Sequence, residues 1–272
     1  MMIPVAPLRR GRPLLATLAA AVLLAACAVK PTSDISLIPA QTDAISSRSG
    51  LFVQPVKWSR TQPGCKGECP QMSVDSLVFP GVPRLTELVD HALAMLTGTG
   101  DERLPPYDTI AEFEAHFWKT AATRDQVELV ARTRYRNRHL TVIELSSGQY
   151  FTGAAHGLTA TQFLNWDNTT GRVLGLDDVL RPGVHQQFVA ALAQAHQNWL
   201  DAHSDAYNDR VAWLQLWPFQ ESSNFALTDQ GLVVKYDSYE IAPYAWGQPE
   251  LMIPYERLGG ILRSSYLPPA SG

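Results

Sequence analysis

The chain has 272 residues, of which 46% are hydrophobic and 18% are charged. This composition allows a sizeable buried core in one or two domains and excludes an intrinsically disordered chain. The 22 Lys and Arg residues are outnumbered by 26 Asp and Glu residues, so a broad phosphate-binding surface for nucleic acid is not expected. Three cysteines are too few for a cysteine-rich metal scaffold.

The N-terminal segment has the pattern of an export signal. Three arginines within the first twelve residues precede an apolar run over 14–24. This run is about half as long as a helix that crosses a bilayer, so it predicts a signal peptide over residues 1–26 and no membrane-spanning helix.

The apolar run ends in the residues Leu-Ala-Ala-Cys at 24–27, which resemble the lipobox of bacterial lipoproteins. The resemblance implies that Cys27 becomes the first residue and carries a diacylglycerol and an acylated amine, with palmitate-like chains that hold the protein on a membrane. Residue 28 is Ala, and the sorting rule of such proteins then implies the outer membrane, facing the periplasm. The alternative is an ordinary secretory signal in which Cys27 occurs by chance.

Removal of residues 1–26 would make the protein more acidic. That segment carries three arginines and no acidic residue, so 26 acidic side chains would face 19 basic ones. We therefore expect the mature chain to prefer a basic partner. Residues 27–50 are rich in Ser, Thr and Asp and lack periodicity, which predicts a flexible tether between the lipid and the folded body.

The other two cysteines, Cys65 and Cys69, lie in the short loop Pro-Gly-Cys-Lys-Gly-Glu-Cys-Pro at 63–70, with three residues between them. In an oxidising compartment this spacing favours a disulfide, which stabilises the fold by roughly 2 kcal/mol. A redox-active pair usually has two intervening residues, and a zinc site needs two further ligands; both remain as weaker alternatives.

Hydrophobic periodicity separates helices from strands. Pro83 suits a helix start, and Thr109 with Glu112 has the spacing of a capping box. Gly231 is expected at the positive-φ position of a hairpin loop. Helices are predicted over 83–96, 109–121, 184–202 and 255–262, and strands over 127–135, parts of 140–145 and 149–164, 225–227, 232–236 and 250–253.

These elements predict an α+β fold, with a mainly antiparallel sheet and packed helices. Residues 264–272 are expected to be a flexible tail.

Four blocks of sequence, in order, resemble landmarks of the RsiV-like C-terminal domain. They are Tyr-Phe-Thr-Gly-Ala-Ala-His-Gly at 150–157, Phe-Leu-Asn-Trp-Asp at 163–167, Leu-Asp-Asp-Val-Leu at 176–180, and the segment 225–255 with Tyr-Glu-Ile-Ala-Pro-Tyr-Ala-Trp-Gly at 239–247. This bacterial family includes the ectodomain of the anti-sigma factor RsiV, which binds lysozyme, and accessory domains of peptidoglycan deacetylases. The resemblance covers roughly residues 148–263, so it implies a C-terminal RsiV-like domain over 148–263, preceded by a small N-terminal α+β subdomain over 51–147 that contains the disulfide loop. The chain shows neither an anti-sigma segment nor a deacetylase domain, so the resemblance implies a binding module.

Candidates for chemistry are few. His156, in Ala-Ala-His-Gly, is either a structural histidine or a residue of a cleft, where Asp167 or the pair Asp177-Asp178 could partner it. Asp167 also suits a turn, and Asp177-Asp178 suit a helix cap. His196 and His203 are seven residues apart on one predicted helix, about 10 Å in rise, which is too far for both to bind one metal ion. No Gly-x-Ser-x-Gly motif is present, and we predict no catalytic residue, no metal site and no cofactor.

The segment 239–247 is the strongest candidate for partner binding. Tyr239, Glu240, Tyr244 and Trp246 place one carboxylate and three aromatic rings on a loop stiffened by Pro243. Such a loop suits a protein interface, and its rings could also stack on a sugar. In the alternative interpretation, Tyr239, Trp246 and Ile241 pack the loop onto the sheet. The seven tryptophans are spread along the sequence and predict no single platform.

The sequence therefore favours a non-catalytic, lipid-anchored binding protein of the cell envelope. A basic protein such as lysozyme, or a peptidoglycan fragment, is the expected partner. Two other functions stay open: an assembly or structural lipoprotein that binds another envelope protein, and a peptidoglycan-modifying enzyme that uses His156 and nearby carboxylates.

Overall fold

The computed structural model describes residues 51–98, 105–203 and 208–267. The predicted signal peptide, Cys27 and the tether lie outside these residues. Within them the fold is α+β, as predicted, with a six-stranded sheet, a three-stranded sheet and five helices. The strands are β1 Gln54–Thr61, β2 Gln71–Val78, β3 Gln126–Arg136, β4 Leu140–Tyr150, β5 Leu158–Asp167, β6 Arg172–Leu174, β7 Phe225–Leu227, β8 Gly231–Lys235 and β9 Glu250–Pro254. The helices are α1 Pro83–Met95, α2 Ile110–Thr120, α3 Leu176–Val179, α4 His185–Asp201 and α5 Arg210–Leu216.

The six-stranded sheet follows the chain order from β1 to β6. All neighbours are antiparallel except β2 and β3, which are parallel. Parallel neighbours need a long crossover, and α1 and α2 lie between these two strands in the sequence. Strands β4 and β5 pair along most of their length, from Leu140 opposite Asp167 to Gln149 opposite Leu158. One sheet therefore carries segments from both sides of residue 148.

The six-stranded sheet separates two hydrophobic cores. On β4, Ile143 and Leu145 pack toward α1 and α2, in what we call the first core. Leu140 and Val142 pack toward the three-stranded sheet and α4, in what we call the second core. Successive side chains of a strand point to opposite faces, so this alternation lets β4 contribute to both cores. Trp166 of β5 is fully buried in the first core.

Two asparagines, the buried Asn165 and the partly buried Asn224, join β5 to the three-stranded sheet. Asn165 donates from Nδ2 to the carbonyl of Phe225 at 2.7 Å and accepts from the N–H of Leu227 at 3.1 Å. Asn224 accepts from the N–H of Phe163 at 2.7 Å and donates to the carbonyl of Lys235 at 3.1 Å. The two amide side chains thus bond backbone groups of strands that do not pair with each other directly.

Local sequence signals account for several element boundaries. Thr109 caps α2 by accepting from the N–H of Glu112 at 3.1 Å. The return bond of the predicted capping box differs, because Glu112 accepts from the N–H of Asp108 and not from that of Thr109. Pro83 stands in the first turn of α1. The disulfide between Cys65 and Cys69 is confirmed.

Two structural predictions were wrong. Gly231 is not at positive φ; it begins β8, where it lies against the backbone of β9. The last predicted helix, over 255–262, is only the 3-10 turn Tyr255–Arg257 followed by further turns. The prediction that parts of 149–164 form strands is confirmed, because β4 runs to Tyr150 and β5 begins at Leu158.

The segment predicted as a flexible tail begins in ordered structure. Ser264–Tyr266 form a 3-10 turn, and Tyr266 and Leu267 pack against the second core. Residues 268–272 lie outside the part of the chain that the structure describes.

Candidate functional site

The loop between β4 and β5 places His156 beside the predicted binding segment. The Nδ1 atom of His156 lies 2.8 Å from the carbonyl oxygen of Gly157, and Nε2 lies 3.0 Å from the hydroxyl of Tyr239. A carbonyl can only accept, so the neutral ring carries its proton on Nδ1, and Nε2 accepts from the hydroxyl of Tyr239. The ring of Tyr244 stacks on His156 with centroids 4.2 Å apart. Both ring nitrogens are thus engaged by neutral groups, and neither contacts a carboxylate.

Tyr239 is the most exposed aromatic ring of this group. Its side chain is 49% exposed, and its centroid lies 5.9 Å from that of Tyr244 and 6.0 Å from that of Trp217. Its φ of 75° is in the left-handed region, which costs a non-glycine residue about 1 kcal/mol. The hydrogen bond from its N–H to the carbonyl of Ala242 and the bond to His156 hold it there. We call His156, Trp217, Tyr239 and Tyr244 the aromatic surface.

A second group of rings lies behind the aromatic surface. Trp246 contacts Trp199, Trp213 and His203, with ring centroids 5.7, 5.5 and 4.6 Å away. These rings pack around Leu200 and Ala242, and Trp217 packs against the same cluster. We call Trp199, His203, Trp213 and Trp246 the tryptophan cluster.

The tryptophan cluster corrects the prediction that the tryptophans form no single platform. Four of the seven, at 199, 213, 217 and 246, meet here, and three of them come from α4 and α5 or the end of α5. The only sequence signal for them is the spacing of four residues between Trp213 and Trp217, which puts both on one helical face.

The structure divides the residues of the predicted loop by role. Ile241 is fully buried and belongs to the second core. Trp246 is half-buried in the tryptophan cluster, so it supports the loop, and Pro243 precedes the 3-10 turn Tyr244–Trp246. Glu240 is exposed, and its carboxylate accepts from the N–H of Asp237 at 2.6 Å.

Asp237, at the base of this loop, has a pKa above that of an ordinary aspartate. Burial, together with the nearby carboxylate of Glu240, raises its pKa to about 6. The side-chain amide of Gln248 donates to its Oδ1 at 2.9 Å, which favours the ionised form only in part. The loop therefore contains a carboxyl group that exchanges its proton in mildly acidic solution.

We expect an Asp237→Asn variant to change how stability depends on pH. The folded state of the wild type holds a proton on Asp237 up to about pH 6, whereas the unfolded chain releases it near pH 4. Stability from this group therefore falls as pH rises from 4 to 6. Because Asp237 is only partly buried, solvent screening reduces the effect to roughly 1 kcal/mol.

Urea unfolding at pH 4 and pH 7 measures this change. The wild type should lose roughly 1 kcal/mol more than Asp237→Asn between the two pH values. Asp229→Asn, on an exposed turn, is the matched control and should follow the wild type. Equal pH dependence of the wild type and Asp237→Asn would contradict the assignment.

Asp167 lies far from His156. The two residues flank β5 at opposite ends, and ten residues at about 3.3 Å each span roughly 30 Å. Asp167 accepts from the N–H groups of Thr169 and Thr170, as expected for the first residue of a turn. The predicted cleft that would combine His156 with Asp167 is therefore not formed.

The remaining candidates have structural contacts. Asp178 accepts from the N–H of Gly175 at the start of α3 and forms an ion pair with Arg172. His196 is fully buried against Phe219, with no hydrogen-bond partner at either ring nitrogen, and burial lowers its pKa. Within 51–98, 105–203 and 208–267, no three His, Cys, Asp or Glu side chains are arranged to hold a metal ion. The helices of these ranges include none with the length and hydropathy of a membrane span.

Comparison with known proteins places the fold and the site in a family. The family described as "Protein of unknown function (DUF3298)" matches residues 177–256, which include the predicted binding loop and both helices of the tryptophan cluster. No curated protein matches the chain.

Two solved structures have the same fold. A DUF3298 family protein from Bacteroides fragilis NCTC 9343 is 22% identical, with a TM-score of 0.60 over 80% of this chain and 95% of its own. A DUF3298 family protein from Pseudomonas aeruginosa PAO1 is 35% identical, with a TM-score of 0.74 over 82% of this chain and 99% of its own. At that identity and coverage, the chain belongs to the DUF3298 family.

Proposed function

We propose that the chain is a non-catalytic, lipid-anchored binding protein of the bacterial cell envelope, and that the aromatic surface is its contact with a basic protein partner. The observation that carries the proposal is the geometry of Tyr239. This ring is half exposed, yet its hydroxyl and its backbone are both fixed. A rigid aromatic side chain loses little entropy when it becomes buried in an interface.

The surroundings of Tyr239 suit a protein partner. Tyr244 and Trp217 extend the apolar area, and Tyr, Trp and Arg are the residues that most often dominate binding energy at interfaces. Leu216, at the end of α5 and next to Trp217, is 73% exposed. The neighbouring carboxylate of Glu240 and the acidic balance of the chain favour a partner with positive charge.

The role of His156 supports binding over catalysis in this proposal. A general base of this type needs an orienting carboxylate or an equivalent acceptor, together with a free nitrogen that faces the substrate. Here Nδ1 bonds the carbonyl of Gly157, and Nε2 is occupied by Tyr239. The ring thus orients Tyr239.

The lipid anchor at Cys27, the outer-membrane location and the RsiV-like ancestry are parts of the same proposal. Their support is the lipobox-like sequence at 24–27 and the four blocks that resemble the RsiV-like domain. Lysozyme is the basic protein that this resemblance suggests as a first probe.

The test is the binding of labelled lysozyme to the purified chain. We expect saturable binding that weakens as salt is raised, because charge contributes to the encounter. Tyr239→Ala should lower the affinity about tenfold or more, as expected for a central aromatic contact. Val56→Ala, which removes an exposed apolar side chain on β1, is the control and should bind as the wild type does.

Two results would count against the proposal. One is the absence of saturable lysozyme binding up to about 100 µM, a concentration that detects even weak complexes. The other is equal affinity of the wild type and Tyr239→Ala. Binding of soluble muropeptides that depends on Tyr239 would replace the protein partner with a peptidoglycan fragment at the same surface.

A further inference from the structure

A concave site lies at the other end of β5, away from the aromatic surface. It has a volume of about 720 Å³, within the range of small-molecule sites. Three hairpin turns border it: 137–139 between β3 and β4, 168–171 between β5 and β6, and 228–230 between β7 and β8. We call it the distal cavity.

Two of the three turns around the distal cavity are fixed to each other by Asn168. Asn168 donates from Nδ2 to the carbonyl of Asn137 at 3.0 Å, and its Oδ1 accepts from the hydroxyl of Thr141 at 2.9 Å. Asp167 fixes the start of the second turn by accepting from the N–H groups of Thr169 and Thr170, at 2.7 and 3.1 Å. A site whose walls are already ordered loses little entropy when a ligand binds.

Three tyrosines line the distal cavity together with the buried side chain of Leu227. The hydroxyl of Tyr255 donates to the carbonyl of Thr228 at 2.7 Å, and that of Tyr135 accepts from Nδ2 of Asn137 at 3.0 Å. Among the residues that the structure describes, no acceptor is bonded to the hydroxyl proton of Tyr135, so this proton can bond a ligand. Tyr266 adds a third phenol at the edge of the cavity.

The charge state of the lining disfavours an anionic ligand. Burial alone would raise the pKa of Asp167, but the hydrogen bonds from Thr170 and Thr169 outweigh it and lower the pKa, so this carboxylate is ionised at neutral pH. Asp229 contributes a second carboxylate on an exposed turn. Burial raises the pKa of Tyr255 to about 12, so its phenol stays neutral.

The lining therefore combines aromatic faces with hydroxyl and carboxylate groups. Hydroxyls of Thr169, Thr170, Thr228 and Ser265 add both donors and acceptors. A pyranose ring has an apolar face that stacks on an aromatic ring and hydroxyls that donate to carboxylates. We infer that the distal cavity binds a neutral disaccharide, independently of the protein-binding surface proposed above.

Calorimetry and saturation-transfer NMR on the full-length chain test this inference. The probes are N,N′-diacetylchitobiose and cellobiose, which share the backbone of two pyranose rings and differ in their acetamido groups. We expect saturable binding of at least one of them in the millimolar range or tighter. The comparison between the two shows whether the cavity recognises an acetamido group or the hydroxyls alone.

Variants assign the binding to the cavity. Tyr266→Ala should weaken binding about tenfold, through loss of an aromatic contact. Tyr135→Phe, which removes only a hydroxyl, should weaken it about threefold or more. Tyr150→Phe, at the opposite end of β4, is the matched control and should bind as the wild type does.

The outcomes separate this inference from the proposed function. Disaccharide binding should persist in Tyr239→Ala even if lysozyme binding is lost, because Tyr239 lies at the other end of the sheet. The inference is overturned if neither disaccharide binds up to roughly 20 mM, a weak limit for a specific site. It is also overturned if folded Tyr266→Ala and Tyr135→Phe bind as tightly as the wild type.

Discussion

A Gly231→Ala variant is expected to lose at least about 3 kcal/mol of unfolding free energy, because a methyl group at this position would overlap backbone atoms of β9. An ideal Cβ on Gly231 would lie 2.3 Å from the carbonyl oxygen of Ile253 and 3.0 Å from Sδ of Met252. The first of these atoms is backbone in the neighbouring strand β9, so a side-chain rotation cannot relieve the contact.

The backbone of Gly231 is also held in place. Its N–H donates to the hydroxyl of Thr228 at 3.2 Å, and its carbonyl accepts from the N–H of Thr228 at 2.9 Å. Relief of the clash would require β8 and β9 to separate where they close the second core. The added methyl therefore disrupts strand pairing and core packing together.

Thermal and urea unfolding of Gly231→Ala measure the loss, and Gly259→Ala is the matched control. A Cβ on Gly259 would meet no atom within 4 Å, and its φ is not positive, so this variant should stay within about 0.5 kcal/mol of the wild type. A Gly231→Ala protein as stable as Gly259→Ala would show that β8 and β9 do not approach each other as the structure describes.

Gly231 also illustrates what sequence periodicity can predict. The two strands of the hairpin were predicted correctly, because short continuous apolar runs on both sides of Asp-Gln-Gly define them locally. The reason for the glycine was not local. The glycine is needed because β9, some twenty residues later in the chain, lies against β8. No pattern within the hairpin predicts how close that strand lies.

The candidate site, too, was predicted only where its residues are neighbours in the sequence. The segment 239–247 was identified because its aromatic residues are contiguous in the sequence. The four tryptophans were not grouped, since Trp199 and Trp213 come from two helices and meet Trp246 only through tertiary packing. Helix α5 was not predicted at all, because its seven residues contain a single buried side chain and too few turns for a hydrophobic period.

His156 and Asp167 show why short sequence separation misleads within a strand. Their separation of eleven positions would correspond to a compact three-turn unit in a helix, about 16 Å long. As strand β5 they extend to roughly twice that length and deliver the two side chains to different sites. His156 then joins the aromatic surface, and Asp167 joins the distal cavity.

Asn165 is the second position at which one substitution should have a large effect. The side chain is 1% exposed and bonds two backbone groups of β7, although β5 and β7 belong to different sheets. In Asn165→Ala, the carbonyl of Phe225 and the N–H of Leu227 would stay buried without these partners. Each unsatisfied group costs about 1–3 kcal/mol, so we expect a loss of roughly 3 kcal/mol in total.

Two further variants separate the hydrogen bonds from the volume of the side chain. Asn165→Asp keeps the shape and the acceptor for Leu227 but replaces the donor to Phe225 with an oxygen, so it should also destabilise the fold, and more so at neutral pH, where the carboxylate is ionised. Asn198→Ala removes an exposed amide on α4 and is the control, expected within about 0.5 kcal/mol of the wild type. If Asn165→Ala unfolded at the same urea concentration as Asn198→Ala, the two sheets would have to be held together by apolar packing alone. The attachment of the three-stranded sheet to the six-stranded sheet would then not depend on the asparagine contacts. This attachment is what places the aromatic surface and the distal cavity on one scaffold.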